Sequence, residues 1–214
     1  MKKFLLFIFT AVFAIVFFSG CKKNVDYLNY ISEKRTNIYL YSDDEMEIKI
    51  YVSKRESPYS TDGIKGDIGD FTEIFVTLPK NYEEVDISVC NIQGQMNYKA
   101  VKNCYYLSSG VNIEGDKVSA ILTFGGESKE YSLVSVLYDG VITCEDAVKC
   151  AIDYDGELFA SLTQKDIFMG EIFVRLLYDD GCYYYVGVCD RNKKITAFLL
   201  DGERGNIIAT KELG

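Results

Sequence analysis

Between residues 47 and 137, apolar and polar side chains exchange places with a period of two, and this rhythm restricts the fold more than any other feature. Glu47-Ile48-Lys49-Ile50-Tyr51-Val52-Ser53 puts Ile48, Ile50 and Val52 on one face, a pattern that suits a half-buried strand and not a helix. Residues 71–78 bring Ile74, Val76 and Leu78 together before Pro79 ends the run, because proline has no N–H for a ladder. Residues 85–92 set Val85, Ile87 and Val89 against Asp86, Ser88 and Cys90, and residues 118–124 turn Val118, Ala120, Leu122 and Phe124 inward. Gly125-Gly126 is a two-residue hairpin signal leading into Tyr131–Leu137. Shorter strands are expected at 37–41, 96–101 and 104–108.

Short strands at this spacing predict a β-sandwich of immunoglobulin-like shape over residues 33–140. The chain has no Trp, so the predicted likeness is one of architecture and not of an antibody-type core. Glu56–Asp70, with Ser57-Pro58, Asp62-Gly63 and Lys65-Gly66, reads as one long polar loop between strands, of a length that usually carries function or mobility. After Asp139-Gly140 the period changes. Thr143 is an N-cap with Asp146 three residues on. Val148, Ala151, Ile152, Phe159 and Leu162 then follow helical spacing, with a weak point at Gly156. Three strands follow, around Ile172–Tyr178, Tyr184–Val188 and Ile195–Leu200. The expected class is therefore mainly β: a sandwich, then a small helix-plus-antiparallel-sheet unit over 141–214.

The amino terminus has a different character. Lys2 and Lys3 precede an apolar run from Phe4 to Phe18, shorter than the roughly 20 residues of a membrane span and suited to a secretory signal peptide. The run ends Ser19-Gly20-Cys21. This ending resembles the lipobox of bacterial lipoprotein precursors, with Phe18 standing where Leu is usual. The resemblance implies removal of residues 1–20 and lipidation of Cys21, so that a membrane-anchored mature chain faces the extracytoplasmic side of the cell membrane. More than one acyl chain is needed for stable anchoring. Residues 21–32 would form the lipidated tether. Losing Lys2 and Lys3 makes the mature chain more acidic than the −9 of the whole, so the body should be repelled by an anionic lipid surface.

Residues 141–214 resemble a PepSY domain. Ala147 and Ala151 lie on the predicted helix, Asp180-Gly181 marks a hairpin, and Asp201, Gly205 and Ile207 reproduce the family's closing spacing. Arg204 stands where Thr is common, and the acidic stretch Asp153–Glu157 is a further departure. Because such domains occur in protease pro-segments, the resemblance implies a regulatory relation to a secreted or envelope protease.

Few residues point to chemistry. With no His, the chain lacks His-based triads and most zinc sites, and no G-x-S-x-G elbow is present. The acidic balance argues against nucleic acid. Asp153, Asp155 and Glu157 alternate as weak metal candidates, although the EF-hand template fails there. Asp43-Asp44-Glu45, Asp67 and Asp70 read as turn residues. Of the six cysteines after Cys21, free buried thiols and a single Cys90–Cys104 bridge both remain open. The 17 tyrosines are the notable surplus. Tyr105, Tyr183 and Tyr185 are the candidate surface for a partner or ligand, with Tyr184 facing inward. The expected protein is non-enzymatic and needs no cofactor. It is anchored in the membrane by lipid and binds an envelope protein; a carbohydrate module or a structural accessory subunit are the alternatives.

Overall fold

The computed structural model describes residues 25–214; the expected leader and Cys21 lie outside the described residues. In chain order the strands are β1 (Ile31–Ser42), β2 (Glu47–Glu56), β3 (Ile68–Thr77), β4 (Val85–Val89), β5 (Ile92–Gln95), β6 (Asn97–Lys99), β7 (Cys104–Ser109), β8 (Lys117–Phe124) and β9 (Glu127–Ser135). Helices α1 (Cys144–Tyr154) and α2 (Gly156–Ser161) come next, then the short pair β10 (Thr163–Gln164) and β11 (Ile167–Phe168). The chain closes with β12 (Gly170–Tyr178), β13 (Cys182–Asp190), β14 (Ile195–Asp201) and β15 (Ile207–Leu213). The fold is mainly β, as the alternation predicted.

One strand organises everything else. β1 pairs with β2 along one edge and divides its other edge between two partners. Residues Ile31–Arg35 run parallel to β12, whereas Tyr39 and Leu40 run antiparallel to β9. A register shift between Arg35 and Asn37 makes the division, since a bulge bends the strand and reverses the face of each later side chain. Asn37 sits at the fork, its side-chain oxygen accepting from the Ile38 amide at 2.7 Å and the Ser135 hydroxyl at 2.8 Å. As a result Ile31 and Ile38 belong to one core and Tyr39 to the other.

The first core lies between β1-β2-β3-β7-β6 and the group β5-β4-β8-β9, joined through the β1–β9 pairing into a partly closed barrel. Ile48, Ile50, Ile74, Val76, Leu122 and Leu133 fill it. The second core lies between α1–α2 and the sheet β15-β14-β13-β12-β1. Ala147, Val148 and Ala151 of α1 meet Ile172, Val174 and Val186 there. Thr143 caps α1, accepting from the Asp146 amide at 3.1 Å. The helix stops before Gly156, where the Asp155 carboxylate accepts from the Leu158 amide at 3.0 Å and starts α2.

Several expectations change. Residues 85–92 are not one strand: Cys90 takes a left-handed φ of 50° and turns β4 into β5. The meander has a fourth member, β15, beyond the closing turn. In that turn the Asp201 carboxylate accepts from the amides of Glu203 (3.0 Å) and Arg204 (2.7 Å), and Gly205 adopts φ +69°. Residues 27–32 are not a loose tether. Tyr27–Tyr30 form a 3-10 turn, and Tyr27 packs edge-on against Phe159 (5.2 Å) and Phe168 (5.3 Å). Residue 140 falls between β9 and α1, and β1 contributes to both cores. All six cysteines among the described residues are free thiols, so no Cys90–Cys104 bridge forms.

Candidate functional site

The outer face of the β1-β2-β3-β7 sheet, turned away from the first core and reaching the second at Tyr51, is lined with rings and cations. Alternation places them there: where Ile48, Ile50, Ile74 and Val76 point inward, Tyr51, Glu73, Phe75 and their neighbours must point out. Arg35 lies over the Tyr51 ring at 4.1 Å, Tyr51 meets Phe75 at 5.5 Å, and Phe75 meets Tyr106 at 5.1 Å. The row thus crosses β1, β2, β3 and β7 through one direct cross-strand pair, Phe75–Tyr106, and two diagonal ones, Arg35–Tyr51 and Tyr51–Phe75, which long and aromatic side chains can bridge.

At its β6–β7 end the row opens into a groove of about 490 Å³. Phe75, Tyr98 and Tyr106 supply rings, and Lys99 and Lys102 supply cations. The Lys102 ammonium sits 4.9 Å over Phe75 and that of Lys99 5.3 Å over Tyr106, contacts each worth roughly 0.5–1 kcal/mol at an exposed position. Tyr106 donates to Glu73 at 3.1 Å and Tyr98 to Asn103 at 2.7 Å, which fixes the ring tilts. Burial, helped by Glu73, pushes the Tyr106 hydroxyl above its ordinary range, so it stays a donor. The lip is the turn Ala100–Asn103, where Val101 is fully exposed. Val101 stands bare beside the Phe75, Tyr98 and Tyr106 rings and the two lysines.

At the other end the outer face becomes charged. Arg175 on β12 donates twice to Glu33 on β1, at 3.0 and 2.5 Å, and once to Tyr59 at 2.8 Å. Burial alone would raise the Glu33 carboxyl, but the hydrogen bonds and charge of Arg175 hold it below its ordinary range. Beyond this pair Phe173 stacks on Tyr185 at 5.9 Å, its ring lying across Gly187.

The predicted surface residues divide. Tyr105 is a correction: it is 2% exposed, and its hydroxyl accepts from the Tyr82 amide and donates to the Tyr82 carbonyl. β7 pairs with β3 so that Tyr105 opposes the inward Val76 and Tyr106 opposes the outward Phe75. The Tyr-Tyr pair was legible, but its parity was set by a partner strand far away in sequence. Tyr183 and Tyr185 lie half-buried on the outer face of β13, while Tyr184 is buried and donates to the Ile142 carbonyl at 2.6 Å. They are not part of the groove. Sequence reasoning missed Phe75, Tyr98, Lys99, Val101, Lys102 and Tyr106; the available signal was Asn97-Tyr98-Lys99 and Val101-Lys102-Asn103 flanking a turn.

Asp153 and Glu157 are exposed and Asp155 caps a helix. Among the described residues no group of three potential ligands could hold a metal ion. Burial raises the Cys144 thiol to about 12 and the Cys189 thiol to about 11, which keeps these two protonated at neutral pH. Among the described residues no helix is long and apolar enough to cross a membrane. Compared with known proteins, the chain matches no family model, no curated sequence and no solved structure.

Proposed function

We propose that the protein is a non-catalytic lipoprotein, lipid-anchored through Cys21 on the outer side of the cell membrane, that docks a protein partner of the envelope in the β3–β6–β7 groove. The leader and its Ser19-Gly20-Cys21 ending support the placement. The observation that carries the binding role is the groove itself, where rings, two lysines and the fully exposed Val101 converge. Centres of protein interfaces are rich in such aromatic anchors. We read the first core as a variant of the immunoglobulin-like sandwich and the second as PepSY-like. Helix α1 over an antiparallel sheet, and the turn built on Asp201, Gly205 and Ile207, favour the second reading. On that reading, a protease is the partner class to try first.

The test is a photo-crosslinking residue at position 101 in the producing cells. It should capture one defined envelope protein, and Tyr98→Ala should cut that capture at least tenfold, about 1.4 kcal/mol of binding. Crosslinks to many unrelated proteins, or capture untouched by Tyr98→Ala, would remove the groove from the interface. Mass spectrometry of Cys21 tests the anchor separately: an unmodified thiol contradicts it. A glycan module is the second reading, favoured by the open Tyr98 and Tyr106 rings, and pelleting with cell-wall polysaccharide distinguishes it.

A further inference from the structure

Eleven-residue connections usually lie out in solvent, but the segment between β2 and β3, residues 57–67, is folded back over the outer face of β12 and β13. Its neck is closed by the Ser57 amide donating to the Asp67 carbonyl at 3.1 Å. Its interior is held by Glu56, 3% exposed, whose carboxylate accepts from the amides of Ser60 (3.1 Å) and Gly66 (2.6 Å). Tyr59 reaches Arg175 at 2.8 Å. Gly63 rests so closely on β13 that an added Cβ would lie 2.5 Å from the Asp190 carbonyl oxygen.

Beneath this cover lies Glu171. It is 0% exposed, and neither carboxyl oxygen makes a well-formed hydrogen bond; the loop amides of Asp62 and Gly63 are turned toward it and favour its charge, but burial and the neighbouring acids outweigh them. A buried, unpaired carboxylate is costly, so the group sheds its charge instead. The titratable groups facing it are acids and a thiol: Glu56 from β2, Asp62 from the loop, and Cys189 from β13. The cation of its own strand, Arg175, is engaged by Glu33 and Tyr59. Ionisation would place a third carboxylate beside Glu56 and Asp62 with no compensating charge.

We propose that residues 57–67 are a proton-gated cover on the β12–β13 face, shut while Glu171 is neutral and released when Glu171 ionises. Release lets water reach the carboxylate, separates Asp62 from it, and breaks the Tyr59–Arg175 bond, which uncovers the outer face around Phe173 and Tyr185. Burial first, and then Glu56 and Asp62, raise the Glu171 carboxyl from 4.5 to about 7 in the closed form. A folded value above the open value means that closure is favoured below 4.5 and weakens as pH rises to about 7. Since ionisation accompanies opening, the open fraction should grow about tenfold per pH unit across that window and level off above it.

The experiment is hydrogen exchange on the whole protein between pH 4.5 and 8.5, corrected for intrinsic rates and read by mass spectrometry. Protection of the 57–67 amides should fall with that slope, while β12 and β13 amides stay protected at every pH. Glu171→Gln, which cannot ionise, should keep the loop shut and flatten the profile. Asp62→Asn leaves the Ile64 amide an oxygen acceptor and removes one facing charge, so the levelling point should move to lower pH. Protection that does not change with pH in the unaltered protein, a slope that survives Glu171→Gln, or an unmoved levelling point in Asp62→Asn would each overturn the proposal.

Discussion

Replacing Arg175 by Met should weaken the fold at neutral pH and reverse the sign of part of its pH dependence. The Glu33 side chain is only 6% exposed, and Arg175 supplies two of its hydrogen bonds. Removing one member of a buried pair costs roughly 3–5 kcal/mol, because the other charge is left dry and unpaired. Here the Arg175 side chain is 30% exposed, so water can reach the gap, and a loss of about 2–4 kcal/mol is the expectation. The double variant Glu33→Gln, Arg175→Met strands no carboxylate and should lose only about 1–2 kcal/mol, less than the sum of the two single losses. In the unaltered protein Glu33 is held below 4.5. Its contribution is therefore present above 4.5 and lost as pH falls through the lower folded value. Without Arg175, burial, the largest influence on the carboxyl, should outweigh the remaining Tyr59 hydrogen bond and Arg35 charge and lift it above 4.5, so Arg175→Met should regain stability on acidification. Urea unfolding followed by far-UV circular dichroism at pH 7.5 and pH 5 measures this, and a chain without Trp calls for that probe rather than indole fluorescence. A loss below about 1 kcal/mol at pH 7.5, or single losses that simply add in the double variant, would refute the reasoning.

Two further substitutions probe packing. Gly187→Ala places a methyl group inside the Phe173 ring and should cost about 1–3 kcal/mol by overpacking, with most of that cost absent when Phe173 is already Ala; thermal melts of the four proteins in the cycle check this. Tyr105→Phe removes the hydroxyl that serves both the amide and the carbonyl of Tyr82 and should lower stability by about 1–3 kcal/mol. Crosslinking from position 101 should persist in that variant, because Tyr105 faces the core.

Much of the architecture was legible because burial on one face leaves a local trace. Ile48, Ile50 and Val52 announce their strand whatever lies opposite, and the Thr143 cap and the interruption at Gly156 are decided within one helical turn. Other features depend on a partner. The 85–92 alternation looks continuous until Cys90 takes a left-handed conformation, which side-chain periodicity does not encode. β15 reads as polar because it is an edge strand exposed along most of its length. Of the site, the surplus of tyrosine was visible, but Tyr105 and Tyr106 exchange roles with the register of β7 on β3.

The amino-acid sequence alone determined which residues share a face and where α1 begins and breaks. Tertiary structure decided which edges meet. Backbone N–H and C=O groups are the same at every residue, so nothing local tells β1 to split its edge between β12 and β9. That choice, made by packing two cores at once, in turn placed Glu33 against Arg175, folded residues 57–67 over β13, and closed Glu171 off from water.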